Sequence, residues 1–183
     1  MAFDWSAHAG EVAVITGGAS GIGLALAEQA LKRKLRVAVS DTDADALASA
    51  RKQLTEQFSI GDSDFLTYIA DVSERHAMRN LSTAVEQHFG EDTKIALLCA
   101  NAGVGGARNK ETILGSDERD WDLVHGVNVL GVVWTMQAFV PKMVKQQTAC
   151  ALVTTASAMS LLPGQGLYGV SFELLVPFNF ISD

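Results

Sequence analysis

The sequence predicts an α/β protein built on a doubly wound parallel sheet. Apolar strand patterns alternate with helical ones along the chain, joined by short connections. The first strand empties into a glycine-rich turn that opens a helix. Polar and glycine-rich residues gather where the expected strands end, the side on which such sheets take ligands.

The elements follow in order. Glu11–Thr16 reads as the first strand and Gly21–Arg33 as the first helix. Leu35–Ser40 is a short β-rich run closed by Asp41, and Asp43–Gln57 is helical in composition with Asp45 near its start. Phe65–Ala70 is the third strand, and Ser73–Phe89 is a helix with Ser73 as its expected N-cap. Ile95–Ala100 is the fourth strand, followed by a loop from Asn101 to Ser116. Asp117–Gln147 carries a long helical pattern, with breaks expected near Gly126 or Gly131 and a bend from Pro141. Ala149–Thr155 is the fifth strand.

A chain of 183 residues is expected to form a single domain, with neither an internal repeat nor a linker. It is 48% hydrophobic and 19% charged, with a net charge of −7. That acidity disfavours nucleic acid or an anionic membrane as partner. The opening ten residues lack the basic-then-apolar pattern of a signal peptide. No uninterrupted apolar run reaches the ~18 residues of a membrane span. The expectation is a cytoplasmic protein. Cys99 and Cys150 both fall in expected core strands and read as buried thiols. His8, His76, His88 and His125 show no metal-ligand spacing, so no metal site is expected. Asp41-Thr-Asp-Ala-Asp45 lacks the glycine and terminal glutamate of a calcium loop.

The glycine turn is the most informative segment. In Val12-Ala-Val-Ile-Thr-Gly-Gly-Ala-Ser-Gly-Ile-Gly23, Gly17, Gly21 and Gly23 let the backbone approach phosphates, and the helix N-terminus supplies free N–H groups and positive dipole charge. The spacing differs from G-x-G-x-x-G. It resembles the T-G-x-x-x-G-x-G turn of the short-chain dehydrogenase/reductase family, with Thr16, Ser20 and Ile22 completing it. Further motifs follow in the family's order from about residue 11 to residue 171. Asp71-Val72 resembles the pair that contacts adenine, and Asn101-Ala102-Gly103 resembles the N-A-G turn, with Ala100 where a second Asn is common. Trp121-Asp122 and Asn128-Val-Leu-Gly131 resemble the start of the long helix beside the active site. Asp41 lies eighteen residues after Gly23, where an acidic residue takes the adenosine ribose hydroxyls and repels a 2′-phosphate. With Ser20 uncharged as well, NAD is favoured over NADP. The alternative reading of Asp41 is a solvated turn residue.

The resemblance implies a three-layer α/β/α Rossmann-like fold and hydride transfer between NAD(H) and a small alcohol or ketone. Asn128 takes the family's asparagine position, Ser157 its serine position and Tyr168 its tyrosine position. A hydroxyl that holds the substrate oxygen suits Ser157, and one that passes the proton suits Tyr168. Ser157 precedes Tyr168 by eleven residues, slightly closer than the family pattern, which leaves Thr155 as an alternative to Ser157. The family's lysine would fall at Phe172, and no Lys or Arg follows Lys145. Without a cation a tyrosine titrates near ~10, so about one phenol in a thousand is ionised at pH 7. Alcohol oxidation, which needs the base, is expected to suffer more than carbonyl reduction.

From residue 172 the chain is atypical, and the last strands of the family are absent. Glu173–Asp183 does not read as the family's next helix, because Pro177 would end it early. Either the sequence is incomplete or joins separated pieces, or it is a frameshift or splice product, or it is a truncated relative. The match of Gly169-Val-Ser171 up to the residue before the break favours the first two. Two other functions stay open beside the oxidoreductase: a nucleotide-binding protein without turnover, and an interaction-only fragment. Family members assemble as dimers or tetramers through the long helix and the next one, so the resemblance implies a homo-oligomer only if that next helix forms.

Overall fold

The computed structural model describes residues 3–105 and 115–157. Tyr168, Phe172 and the segment Glu173–Asp183 lie outside them. A short 3-10 turn at Trp5–His8 leads into β1 (Val12–Thr16), α1 (Gly21–Lys32), β2 (Arg36–Asp41), α2 (Ala44–Phe58), β3 (Phe65–Ile69), α3 (Arg75–Phe89) and β4 (Ile95–Ala100). After β4 come α4 (Glu118–His125), a π-helical turn (Gly126–Leu130), α5 (Gly131–Lys145) and β5 (Ala151–Thr154).

The five strands form one parallel sheet in the order β3-β2-β1-β4-β5. β1 and β4 read as unbroken apolar runs because both their faces are covered: every residue of each is buried. On one face Ala13, Ile15, Val37, Val39 and Cys99 pack against Ala27, Ala30, Leu31, Leu47 and Leu54 of α1 and α2. On the other, Val12, Val14, Ala38 and Leu98 meet Met78, Leu81 and Val85 of α3 and Phe139 and Met143 of α5. Three layers result, as the alternation of patterns predicts. β2 and β4 lie on opposite sides of β1, so the chain reverses its direction of winding there, and a crevice opens at the carboxyl ends of β1 and β4.

Three expectations change. Ser73 does not cap α3: Glu74 holds that place with no side-chain bond, because the Ser73 amide and hydroxyl are both taken by Asp71 Oδ1 at 2.9 and 2.7 Å. Neither Gly126 nor Gly131 breaks the long helix. The backbone passes from α4 into α5 through the π turn, and Pro141 is accommodated within α5. Cys150 precedes β5 and is half-buried, whereas Cys99 sits in β4, where burial pushes its thiol up to about 12. Residues Glu118–Lys145 also form a helix long and apolar enough, by composition, to cross a membrane. A search for an unbroken apolar run misses it because polar residues punctuate it. Its apolar face includes Val132, Phe139 and Met143, which are buried, and Lys142 ties it to Glu86 of α3 at 3.0 Å.

Candidate functional site

The glycine turn between β1 and α1 forms one wall of the crevice. Gly17 has φ +62°, and a Cβ there would lie 2.8 Å from the Ala102 Cα. Gly21 has φ +51° with nothing within 4 Å of where its Cβ would stand. Ser20 precedes α1 without a side-chain capping bond, and the first turn holds no acidic residue. The helix therefore presents its N–H groups and positive dipole end to an open space, which suits a pyrophosphate.

That space is a cleft of about 460 Å³. It is lined by Gly17, Ser20, Gly21, Ile22, Gly23, Asp41, Asp71, Val72, Asn101, Ala102 and Gly103, all singled out from the sequence, and also by Val104, Leu123, Val127 and Thr155. Asp41 closes β2, its Oδ2 accepting from the Ala19 amide at 3.2 Å and its Oδ1 from the Thr42 amide at 2.8 Å. The carboxylate is thereby fixed beside the glycine turn.

Thr16 does not line the cleft; it holds the floor together. It is 1% exposed, and its hydroxyl accepts from the amides of Asn101 and Ala102 at 3.0 and 3.2 Å. The same hydroxyl donates toward the Cys99 carbonyl at 3.4 Å. Asn101 returns the link through Nδ2, which donates to the Thr16 and Gly17 carbonyls at 3.0 and 3.2 Å. Its Oδ1 accepts from the Thr155 hydroxyl at 2.8 Å. The ends of β1, β4 and β5 are thus clipped by three side chains. Thr16→Val keeps the shape and strands two amides. We expect it to cost about 2 kcal/mol or more in urea unfolding; a stability equal to wild type would refute the clip.

Asn128 lies in the π turn, fully buried. Its Oδ1 accepts from the Val104 amide at 2.8 Å and its Nδ2 donates to the Val104 carbonyl at 3.0 Å. The side chain therefore anchors the start of the loop after β4 to the long helix. The π turn gives the helix the local geometry for this contact, a common use of such turns at functional sites. Ser157 follows β5, two residues beyond Thr155, and is partly buried. Neither Asn128 nor Ser157 lines the cleft; Asn128 reaches it through Val104, and Ser157 follows the lining residue Thr155 by two positions in the chain. Sequence reasoning missed the role of Thr155 at the floor. It also missed Gln146, whose side chain pairs with both backbone groups of Ile95 at 3.0 and 2.9 Å, like a strand residue. Among the described residues no group of three His, Cys, Asp or Glu could hold a metal.

The short chain dehydrogenase family model matches residues 11–171. A short chain aldehyde dehydrogenase of Euphorbia lathyris is 30% identical over 168 residues, covering 91% of this chain and 55% of the relative. The structure of a short chain dehydrogenase/reductase from Burkholderia phymatum in complex with NAD superposes with a TM-score of 0.83 at 35% identity, covering 92% of this chain and 57% of that one. L-sorbose reductase from Gluconobacter frateurii, complexed with NADPH and L-sorbose, gives 0.80 at 29% identity, covering 91% and 60%. The chain thus spans little more than half the length of these relatives. With the family's glycine turn, strand order and match over most of its length, the chain belongs to the short-chain dehydrogenase family.

Proposed function

We propose that the chain carries the nucleotide-binding part and the hydroxyl-bearing catalytic residues of an NAD(H)-dependent oxidoreductase acting on a small alcohol or ketone. The observation that carries this reading is the gathering of the glycine turn, Asp41, Asp71-Val72 and Asn101–Gly103 around one cleft. Gly17, Ser20, Gly21, Ile22 and Gly23 would hold the pyrophosphate, Asp41 the adenosine ribose, and Asp71 and Val72 the base. When bound, the nicotinamide gives or takes the hydride. Ser157 donates a hydrogen bond to the substrate oxygen, and Tyr168 holds or passes the proton at its phenolic oxygen. Asn128 acts by position, holding the Val104 backbone beside the cleft.

Asp41 supports NAD over NADP, since a carboxylate at this place accepts from ribose hydroxyls and repels a 2′-phosphate. Asp41→Asn is expected to weaken NADH roughly tenfold and to raise the relative affinity for NADPH, read by calorimetric titration of both. An unchanged ratio of the two affinities would count against Asp41 as the discriminating residue. Phe172 in place of a lysine favours a second reading, a nucleotide binder without turnover. Titration with NADH, followed by an assay with small ketones, separates the readings. Binding with turnover supports the oxidoreductase, binding alone the second reading, and neither an interaction-only fragment.

A further inference from the structure

We infer that a second pocket, at the amino ends of the strands, takes a small oxyanion of the phosphate class on the guanidinium of Arg36. Arg36 opens β2 and Asp41 closes it, so this pocket and the cleft stand at opposite ends of the sheet, separated by the length of a strand, about 16 Å. The pocket measures about 450 Å³. Arg36 lines it with a guanidinium that is fixed in place. Nε donates to the Gly10 carbonyl at 2.7 Å, Nη1 to the Phe89 carbonyl at 3.3 Å and Nη2 to the Thr93 hydroxyl at 3.2 Å. The Phe89 ring faces it, with the centroid 5.1 Å from Cζ. All of these partners are neutral. Among the described residues no carboxylate lies within ion-pair distance of the guanidinium.

A guanidinium carries more N–H donors than these three contacts use, so it keeps donors for a ligand. Its charge is half-buried and uncompensated, and an anion supplies the missing countercharge through charge-assisted hydrogen bonds. Other donors belong to the same pocket. The main-chain amides of Glu91, Asp92 and Lys94, which also line it, donate to no acceptor among the described residues. The exposed Lys94 ammonium has no carboxylate partner there either. Two cations and several amides suit a tetrahedral dianion better than a single carboxylate. Three carboxylates of the pocket oppose it. Glu11 is engaged with His8 at 2.7 Å, whereas Glu91 and Asp92 are exposed, where water and salt screen them. The anion is therefore held weakly, and the strength of its hold is set by the balance of these charges.

The test titrates inorganic phosphate into the isotope-labelled chain, with chloride holding the ionic strength constant, and follows the backbone amide signals by NMR. The amides of Glu91, Asp92 and Lys94 are expected to shift saturably. Arg36→Lys keeps the charge but loses the fork, and is expected to weaken phosphate roughly tenfold. Lys94→Gln, an exposed change that leaves the Arg36 contacts in place, is expected to weaken it roughly threefold, and Asp92→Asn to tighten it by as much. A site occupied only at the glycine turn would move the amides of residues 17–23 and leave those of residues 90–94 still, which overturns the inference. So do shifts that never saturate, or one affinity shared by wild type, Lys94→Gln and Asp92→Asn. If Arg36→Lys does not fold, the two exposed variants decide the matter.

Discussion

Replacing Gly23 by alanine is expected to abolish nucleotide binding and to lower folding stability by about 3 kcal/mol. The added Cβ would stand 2.0 Å from the Gly17 carbonyl oxygen and 2.8 Å from Asn101 Nδ2. Neither neighbour can rotate away. The carbonyl is main chain, and Asn101 Nδ2 is held to the carbonyls of Thr16 and Gly17. Relief requires α1 to move off the sheet, and its N-terminus is the surface offered to the pyrophosphate. Urea unfolding and NADH titration of Gly23→Ala check both halves. A variant as stable as wild type, with NADH affinity intact, would show that the turn and helix do not pack as described. Gly21 makes the contrast: a Cβ there meets nothing, so only its φ of +51° resists substitution.

Tyr168→Phe is expected to lower the rate of ketone reduction by about 10² to 10⁴ while leaving the NADH affinity unchanged. The substitution removes one oxygen, the one proposed to carry the proton, and no charge. A rate of reduction in Tyr168→Phe equal to wild type would remove Tyr168 from the proposal.

The sheet was legible because its central strands are buried on both faces, and residues buried that way must be apolar throughout. The glycine turn was legible for a related reason: close approach leaves glycine as the residue that fits. Where side chains compete for the same backbone groups, the sequence was less informative. Ser73 has the composition of a cap, but Asp71 lies two residues before it and takes its amide and hydroxyl. Asn128 was singled out by motif, yet nothing local reveals that its partner is the backbone of Val104, 24 residues earlier. Thr155 and Gln146 were opaque for the same reason: each bonds to a strand far away in the chain. Leu123 escaped notice because one leucine in a helical pattern reads as core. Only the packed helix shows that it faces the cleft.

The clip at the strand ends also bears on how the cradle comes into being. Gly17 rests on Ala102 and Gly23 on Asn101, and the Thr16–Asn101 bonds close a separation of 85 residues. The sequence that forms the phosphate turn is therefore complete long before its supporting floor exists. Closing so large a loop carries an entropic cost that the pairing of β1 with β4 and the packing of helices on both faces of these strands offset. The first helix and its glycine turn can form early in folding, but they acquire their working geometry only when the fourth strand has inserted beside the first. The order of synthesis and the order of assembly are thus different, and the nucleotide site belongs to the late, non-local stage.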